Sequence, residues 1–209
     1  RYGQDALRRA IDELTASKPT IQAPEQRGEA DYLIAESYYH VNEFAKARTQ
    51  YQEFLTSYPG HALSREVTYA LGWTLLKQEE FAAAAETFHR LVDGTDALAH
   101  SALYRRGVAE KLGGNRQTAF QTFTQIFTSQ PQGEFADNAL FDAGVIHYEE
   151  KRFADAYALF SRIIAGYKPS DVLPDSYQMA GECLVAEGDI EQARGMFESA
   201  VSHPLASFE

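Results

Sequence analysis

Six histidines, one cysteine and a scatter of acidic pairs are the residues of this 209-residue chain whose types could support chemistry. His40, His61, His89, His100, His147 and His203 are spread along the chain, and none belongs to a His-Glu-x-x-His pair. Neither a Gly-rich phosphate loop nor a Gly-x-Ser-x-Gly elbow occurs. Glu36 and His40 stand four apart, a spacing that sets both on one helix face and could offer a metal two ligands. Two ligands do not make a site, and a solvated i,i+4 pair is the expected state. Cys183 has no second cysteine to pair with, and the adjacent Glu182 opposes thiolate formation, so a packing role is expected. His147 falls where other segments carry Tyr38, Leu75 and Leu184, which predicts a partly buried packing histidine. Glu79-Glu80 and Glu149-Glu150 read as solvated turns. No catalytic residue, no metal and no cofactor is expected.

The elements that must position these side chains are legible from composition and spacing. Lys and Arg number 19 against 30 Asp and Glu, a net charge of −11 that repels phosphate backbones, so no nucleic-acid partner is expected. Hydrophobic residues at 44% and charged residues at 23% match an ordinary soluble domain rather than a disordered chain. No apolar run approaches the roughly 18 residues that span a bilayer, and no signal peptide is visible. The chain opens at Arg1 and stops soon after its last helical pattern, which reads as an excised fragment of a longer repeat protein.

Internal self-similarity is strong. Ala35, Gly72, Gly107, Gly144 and Gly181 are separated by 37, 35, 37 and 37 residues. Twelve positions after each comes an alanine: Ala47, Ala84, Ala119, Ala156 and Ala193. Sixteen positions after each comes a ring: Tyr51, Phe88, Phe123, Phe160 and Phe197. Each unit predicts two helices around a polar or Gly-containing turn, with apolar spacing of three and four in the second, as in Phe153, Ala156, Tyr157, Phe160, Ile163 and Ile164. Pro59, Pro131, Pro169 and Pro204 mark the ends of second helices. The aromatic is expected to fill the space between neighbouring units.

This pattern resembles the tetratricopeptide repeat, a helix–turn–helix unit of about 34 residues. The resemblance implies an all-α, right-handed α-solenoid of about five such units, spanning 28–64, 65–99, 100–136, 137–173 and 174–209 within a 28–209 array. Residues 1–27 would hold a partial unit, its second helix presenting Ala6, Ala10 and Leu14, followed by a longer connection from Ser17 to Gly28. The third unit departs from the pattern: Arg116 stands where Phe44, Phe81, Phe153 and Ile190 sit in the others, and Glu110 occupies a usually apolar site. The long units, with Tyr58-Pro59-Gly60 and Gln130-Pro131-Gln132-Gly133 before new helices, are similar to a bacterial envelope subgroup. Its members include BamD-type lipoproteins and the periplasmic coordinators of the Tol–Pal system.

The resemblance further implies a concave groove faced by residues three before, one after and four after each small site. Three before stand Tyr32, Tyr69, Tyr104, Phe141 and Gln178; one after stand Glu36, Trp73, Val108, Val145 and Glu182; four after stand Tyr39, Leu76, Lys111, Tyr148 and Val185. A groove of Tyr32, Glu36, Tyr39, Tyr69, Trp73, Tyr104, Phe141, Tyr148 and Glu182 would anchor a protein or peptide partner through aromatic contact. The bland alternative is that the rings pack against the next unit. The Lys and Asn clamp with which chaperone-binding repeats hold a terminal carboxylate is absent, since Tyr32, Glu36, Tyr69 and Trp73 occupy those sites. The expectation is a non-enzymatic interaction scaffold, periplasmic or elsewhere in the bacterial envelope, with the cytoplasm as the alternative. Its rival is a spacer or assembly arm that associates, even as a homodimer, through open solenoid ends.

Overall fold

A computed structural model describes residues 2–203. Eleven α-helices make up the described chain, and no strand occurs among the described residues. Two compact units divide it at Gly113 and Gly114. The first unit holds α1 (Tyr2–Ser17), α2 (Pro24–His40), α3 (Phe44–Ser57), α4 (Ser64–Lys77), α5 (Phe81–His89) and α6 (Ala97–Leu112). The second holds α7 (Arg116–Ser129), α8 (Ala136–Glu149), α9 (Phe153–Gly166), α10 (Leu173–Glu187) and α11 (Ile190–Ser202). Within each unit, consecutive helices pack on one another, the pattern of tandem helix–turn–helix pairs. Pro204 lies outside the described residues.

The small site and the ring sixteen residues later form a lock inside a single pair. A Cβ placed on Gly72 would lie 2.6 Å from the Phe88 ring, and the same construction gives 2.6 Å for Gly144 against Phe160 and for Gly181 against Phe197. Phe88 and Phe160 are fully buried, so each contributes about 2–3 kcal/mol of hydrophobic stabilisation. In these three pairs the ring therefore lies across the glycine of its own pair rather than filling the gap to the next, at a distance that leaves no room for a Cβ. Ala47, Ala84, Ala119, Ala156 and Ala193 are all buried, which keeps the second helix close to the first.

The turns obey an equally strict register. Asn42, Glu79, Gly114, Lys151 and Gly188 have φ of 62°, 60°, 80°, 61° and 88°, and each is the seventh residue after its small site. In four of these turns the next amide reaches back five residues: Glu43 to Tyr38, Glu80 to Leu75, Arg152 to His147 and Asp189 to Leu184. The left-handed residue's own amide bonds three back in the same four turns, completing Schellman closures of α2, α4, α8 and α10. Two of the five turns use glycine; the other three hold a side chain where a left-handed backbone is costly.

The first helices differ from expectation. On α1 the face turned inward is Leu7, Ile11 and Leu14, packed on Ile34, Tyr38 and Val41 of the α2 region, while Ala6 is exposed. The larger side chains remove more apolar area from water, which sets the helix rotation. The link from α1 is shorter than predicted, because Lys18–Thr20 form a 3-10 turn and α2 starts at Pro24, whose fixed φ suits the first helical turn. Gly28 is inside α2 and underlies His61, whose ring would come within 2.7 Å of a Cβ there.

Candidate functional site

The first residues of α2 and the end of α3 form a polar joint that steadies the site from below. Buried Asp31 pairs with Lys18 and accepts a hydrogen bond from the Tyr58 hydroxyl at 3.0 Å. His61, also buried, accepts the Leu63 amide on Nδ1 at 3.1 Å, which makes Nε2 the protonated nitrogen that donates to the Glu25 carbonyl at 3.0 Å. Neither nitrogen is free for a metal.

Above this joint, α2 and α4 line a cavity of about 480 Å³, with Leu98 from the start of α6 completing it. Tyr32, Tyr39, Tyr69 and Trp73 supply aromatic walls, Glu36, Glu66 and Lys77 supply charge, and Tyr51 and Ala70 complete the lining. Spacing of three and four residues along each helix explains the convergence: Tyr32, Glu36 and Tyr39 share one stripe of α2, while Glu66, Tyr69, Ala70, Trp73 and Lys77 share one stripe of α4. Five of the nine residues expected in the groove thus meet at one place. All five are half-buried, and the four aromatic residues also pack against the buried core.

Each wall residue has a support. Tyr69 packs edge-on against Phe88 at 5.5 Å and against Trp73 at 6.5 Å, and its hydroxyl lies 2.6 Å from the Ser101 hydroxyl. Tyr39 meets Phe44 edge-on at 5.4 Å. The Arg105 guanidinium sits 4.4 Å from the Trp73 ring centre, a cation–π contact absent from the sequence reading. Glu36 accepts a hydrogen bond from Tyr51, whose side chain is fully buried. Its other oxygen is 3.8 Å from His40 Nε2, the pair expected from their spacing. Burial raises the pKa of Tyr32, with Glu36 and then Glu66 adding to it, and burial followed by Glu36 raises that of Tyr39. Glu36 and Glu66 thus bring negative charge to the side of the cavity where Tyr32 stands.

The remaining expected residues lie apart from this cavity. Tyr104, half-buried on α6, carries Arg105 at 5.2 Å from its ring and does not line the cavity. In the second unit, Phe141 leans on Phe160 at 5.5 Å, and Tyr148 meets Phe153 edge-on at 5.5 Å. Glu182 stands beside the Tyr148 hydroxyl and, ahead of burial, raises its pKa. His147 is buried 4.4 Å from the Phe120 ring, and burial lowers its pKa. Cys183 is fully buried, and burial pushes its thiol up to about 11, the inert packing residue that its neighbours suggested. Glu110 is buried and salt-bridged to Arg106 at 2.7 Å, which accounts for a carboxylate at an apolar site. Among the described residues no group of three His, Cys, Asp or Glu side chains is placed to hold a metal ion.

Comparison with known proteins places this architecture. Residues 69–134 match the tetratricopeptide repeat family, and residues 1–93 match the outer membrane lipoprotein family YfiO. Over these residues the chain matches tetratricopeptide-repeat families of non-catalytic protein-interaction scaffolds, and its helical pairs have their fold. Several solved structures share its fold, three of them as follows. MamA from Desulfovibrio magneticus RS-1 is 13% identical with a TM-score of 0.67, covering 83% of this chain and 93% of its own. BtubC from P. vanneervenii is 15% identical with a TM-score of 0.65, covering 95% and 88%. The TPR-like repeats of a putative kinesin light chain from Podospora anserina are 13% identical with a TM-score of 0.66, covering 87% and 96%. No curated protein matches the chain. No helix among the described residues is long and apolar enough to cross a membrane.

Proposed function

We propose that this scaffold holds a peptide or protein segment in the aromatic cavity between α2 and α4, in the service of bacterial envelope assembly. The convergence of Tyr32, Tyr39, Tyr69 and Trp73 around one 480 Å³ space beside Glu36 carries the reading. Rigid aromatic side chains with one face in the core and one toward an opening give large contact area at small entropic cost. Tyr104 in the first unit, and Phe141, Tyr148 and Glu182 within the second, offer the same kind of side chain to a bound segment. The family match of residues 1–93 supports the envelope setting, with the periplasm as its compartment.

Ala70 offers the cleanest test, because it lines the cavity without holding any ring in place. Ala70→Leu fills the space while leaving Tyr69 and its Phe88 contact intact. A partner captured from envelope extract by the parent and released by the folded Ala70→Leu protein supports the reading. A partner retained by both refutes it.

A second reading is favoured by one observation: Val185, Ile190 and Val201, on α10 and α11, are 47%, 61% and 61% exposed. Such side chains would serve an assembly arm that associates through its last helical pair. Concentration-dependent association that disappears in Ile190→Glu/Val201→Glu, measured by sedimentation, supports it; a monomer at all concentrations removes it.

A further inference from the structure

The cavity has an unusual floor. At the ring site the chain places Phe in four pairs and Tyr in one, and that one hydroxyl, on Tyr51, is spent on Glu36. A phenol buried to 0% exposure is justified only by a hydrogen bond, and a neutral donor orients the carboxylate without cancelling its charge. Beyond Tyr51, the neighbour that Glu36 meets is the His40 ring, at 3.8 Å and on the exposed side. Glu66 brings a second carboxylate to the lining, against one ammonium from exposed Lys77. Two carboxylates, three tyrosine rings and a tryptophan around one space suit a flat, delocalised cation better than any neutral group. The molecule itself already stacks one such cation, Arg105, on Trp73.

Resting on the groove reading above, we infer that this cavity is the anchor pocket for an arginine side chain of the bound segment. Its guanidinium lies among the rings and pairs with Glu36, which Tyr51 holds in place. Arginine fits better than lysine, because the walls are aromatic and a planar fork can pair with a carboxylate while stacking. Glu36 is then the specificity-determining residue and Tyr51 a positioning residue, while the aromatic walls supply affinity for the segment as a whole.

Trp73 is the only tryptophan in the chain and lines the pocket, so its fluorescence reports occupancy directly. The full chain is titrated with a terminally blocked Ala-Arg-Ala peptide and with its neutral isostere, in which citrulline replaces arginine. The expected result is a saturable Trp73 response to the arginine peptide, with the citrulline peptide about tenfold weaker or worse. Glu36→Gln should weaken the arginine peptide by about tenfold and leave the citrulline peptide unchanged. Tyr51→Phe, a residue the other four pairs carry at this site, should stay folded and weaken the arginine peptide about three- to tenfold. Equal affinity for the two peptides overturns the arginine assignment and leaves the groove reading standing. So does unchanged affinity in Glu36→Gln, and so does the absence of a Trp73 response to arginine peptide up to about 10 mM. The groove reading falls separately, when Ala70→Leu keeps its captured partner.

Discussion

Replacing the helical glycines one at a time by alanine should separate the ring locks from ordinary helix positions, because the same substitution must act in opposite directions. In a helix interior, alanine is more favourable than glycine by about 1 kcal/mol. Gly195, inside α11, has nothing within 4 Å of a built Cβ, so Gly195→Ala should gain about 1 kcal/mol. At Gly72 the new methyl would meet three Phe88 ring atoms at 2.6, 2.7 and 2.9 Å, so the ring must retreat by nearly 1 Å to reach normal contact. Phe88 has no exposed side to retreat into, and overpacking of this kind costs about 1–3 kcal/mol. Net of the propensity gain, Gly72→Ala should lose about 1–2 kcal/mol, and Gly144→Ala the same against fully buried Phe160. Gly181→Ala should cost less, because Phe197 is only half-buried and its ring can yield. Urea unfolding of the four variants, followed by far-ultraviolet circular dichroism, gives the order directly. Equal gains at Gly72 and Gly195 would refute the lock and show that the helices of a pair are held by something other than ring-on-backbone contact.

Two further outcomes follow from local geometry. Lys151→Gly and Glu79→Gly should each gain about 0.5–1 kcal/mol by relieving a left-handed side-chain-bearing residue, and Asn42→Gly less, whereas Gly188→Ala should lose about 1 kcal/mol; urea midpoints check all four. For His147, burial lowers the folded pKa below the ordinary 6.5, so its contribution to stability is complete above pH 6.5 and is lost as pH falls through the folded value. His147→Leu, the residue found at this place in two other pairs, should flatten that acid-side slope in a series of unfolding curves from pH 8 to 5; an unchanged slope assigns it to other groups.

The repeat was open to reading from spacing because its locks are local. Gly72 and Phe88, or Gly144 and Phe160, are sixteen residues apart, and each partner recurs at a fixed offset, so the register shows in the chain itself. The position of the left-handed turn residue carried no such signal, since Asn, Glu, Gly and Lys all occupy it and only the backbone reveals their shared conformation. The walls of the cavity were accessible through the family pattern, but its floor was not. Tyr51 read as one more packing ring, and nothing in spacing says that its hydroxyl turns toward Glu36. Leu98 and Arg105 were missed because they reach Trp73 and the cavity from a different helical pair, at a separation that no periodicity encodes. The joint of Lys18, Asp31 and Tyr58 was hidden for the same reason: its members lie on three elements and share no register.

The short reach of these locks has a mechanical corollary. In three pairs the ring grips a glycine sixteen residues earlier, and four turns are closed by bonds spanning three to five residues. A tensile load on the chain therefore meets a series of separate clasps, and the failure of one frees the slack of a single pair. Stretched between two anchors, the protein should yield in steps of one pair and re-engage the same way when the load drops. A scaffold built like this behaves as an overload fuse, surrendering length in small portions before its attachment points give way.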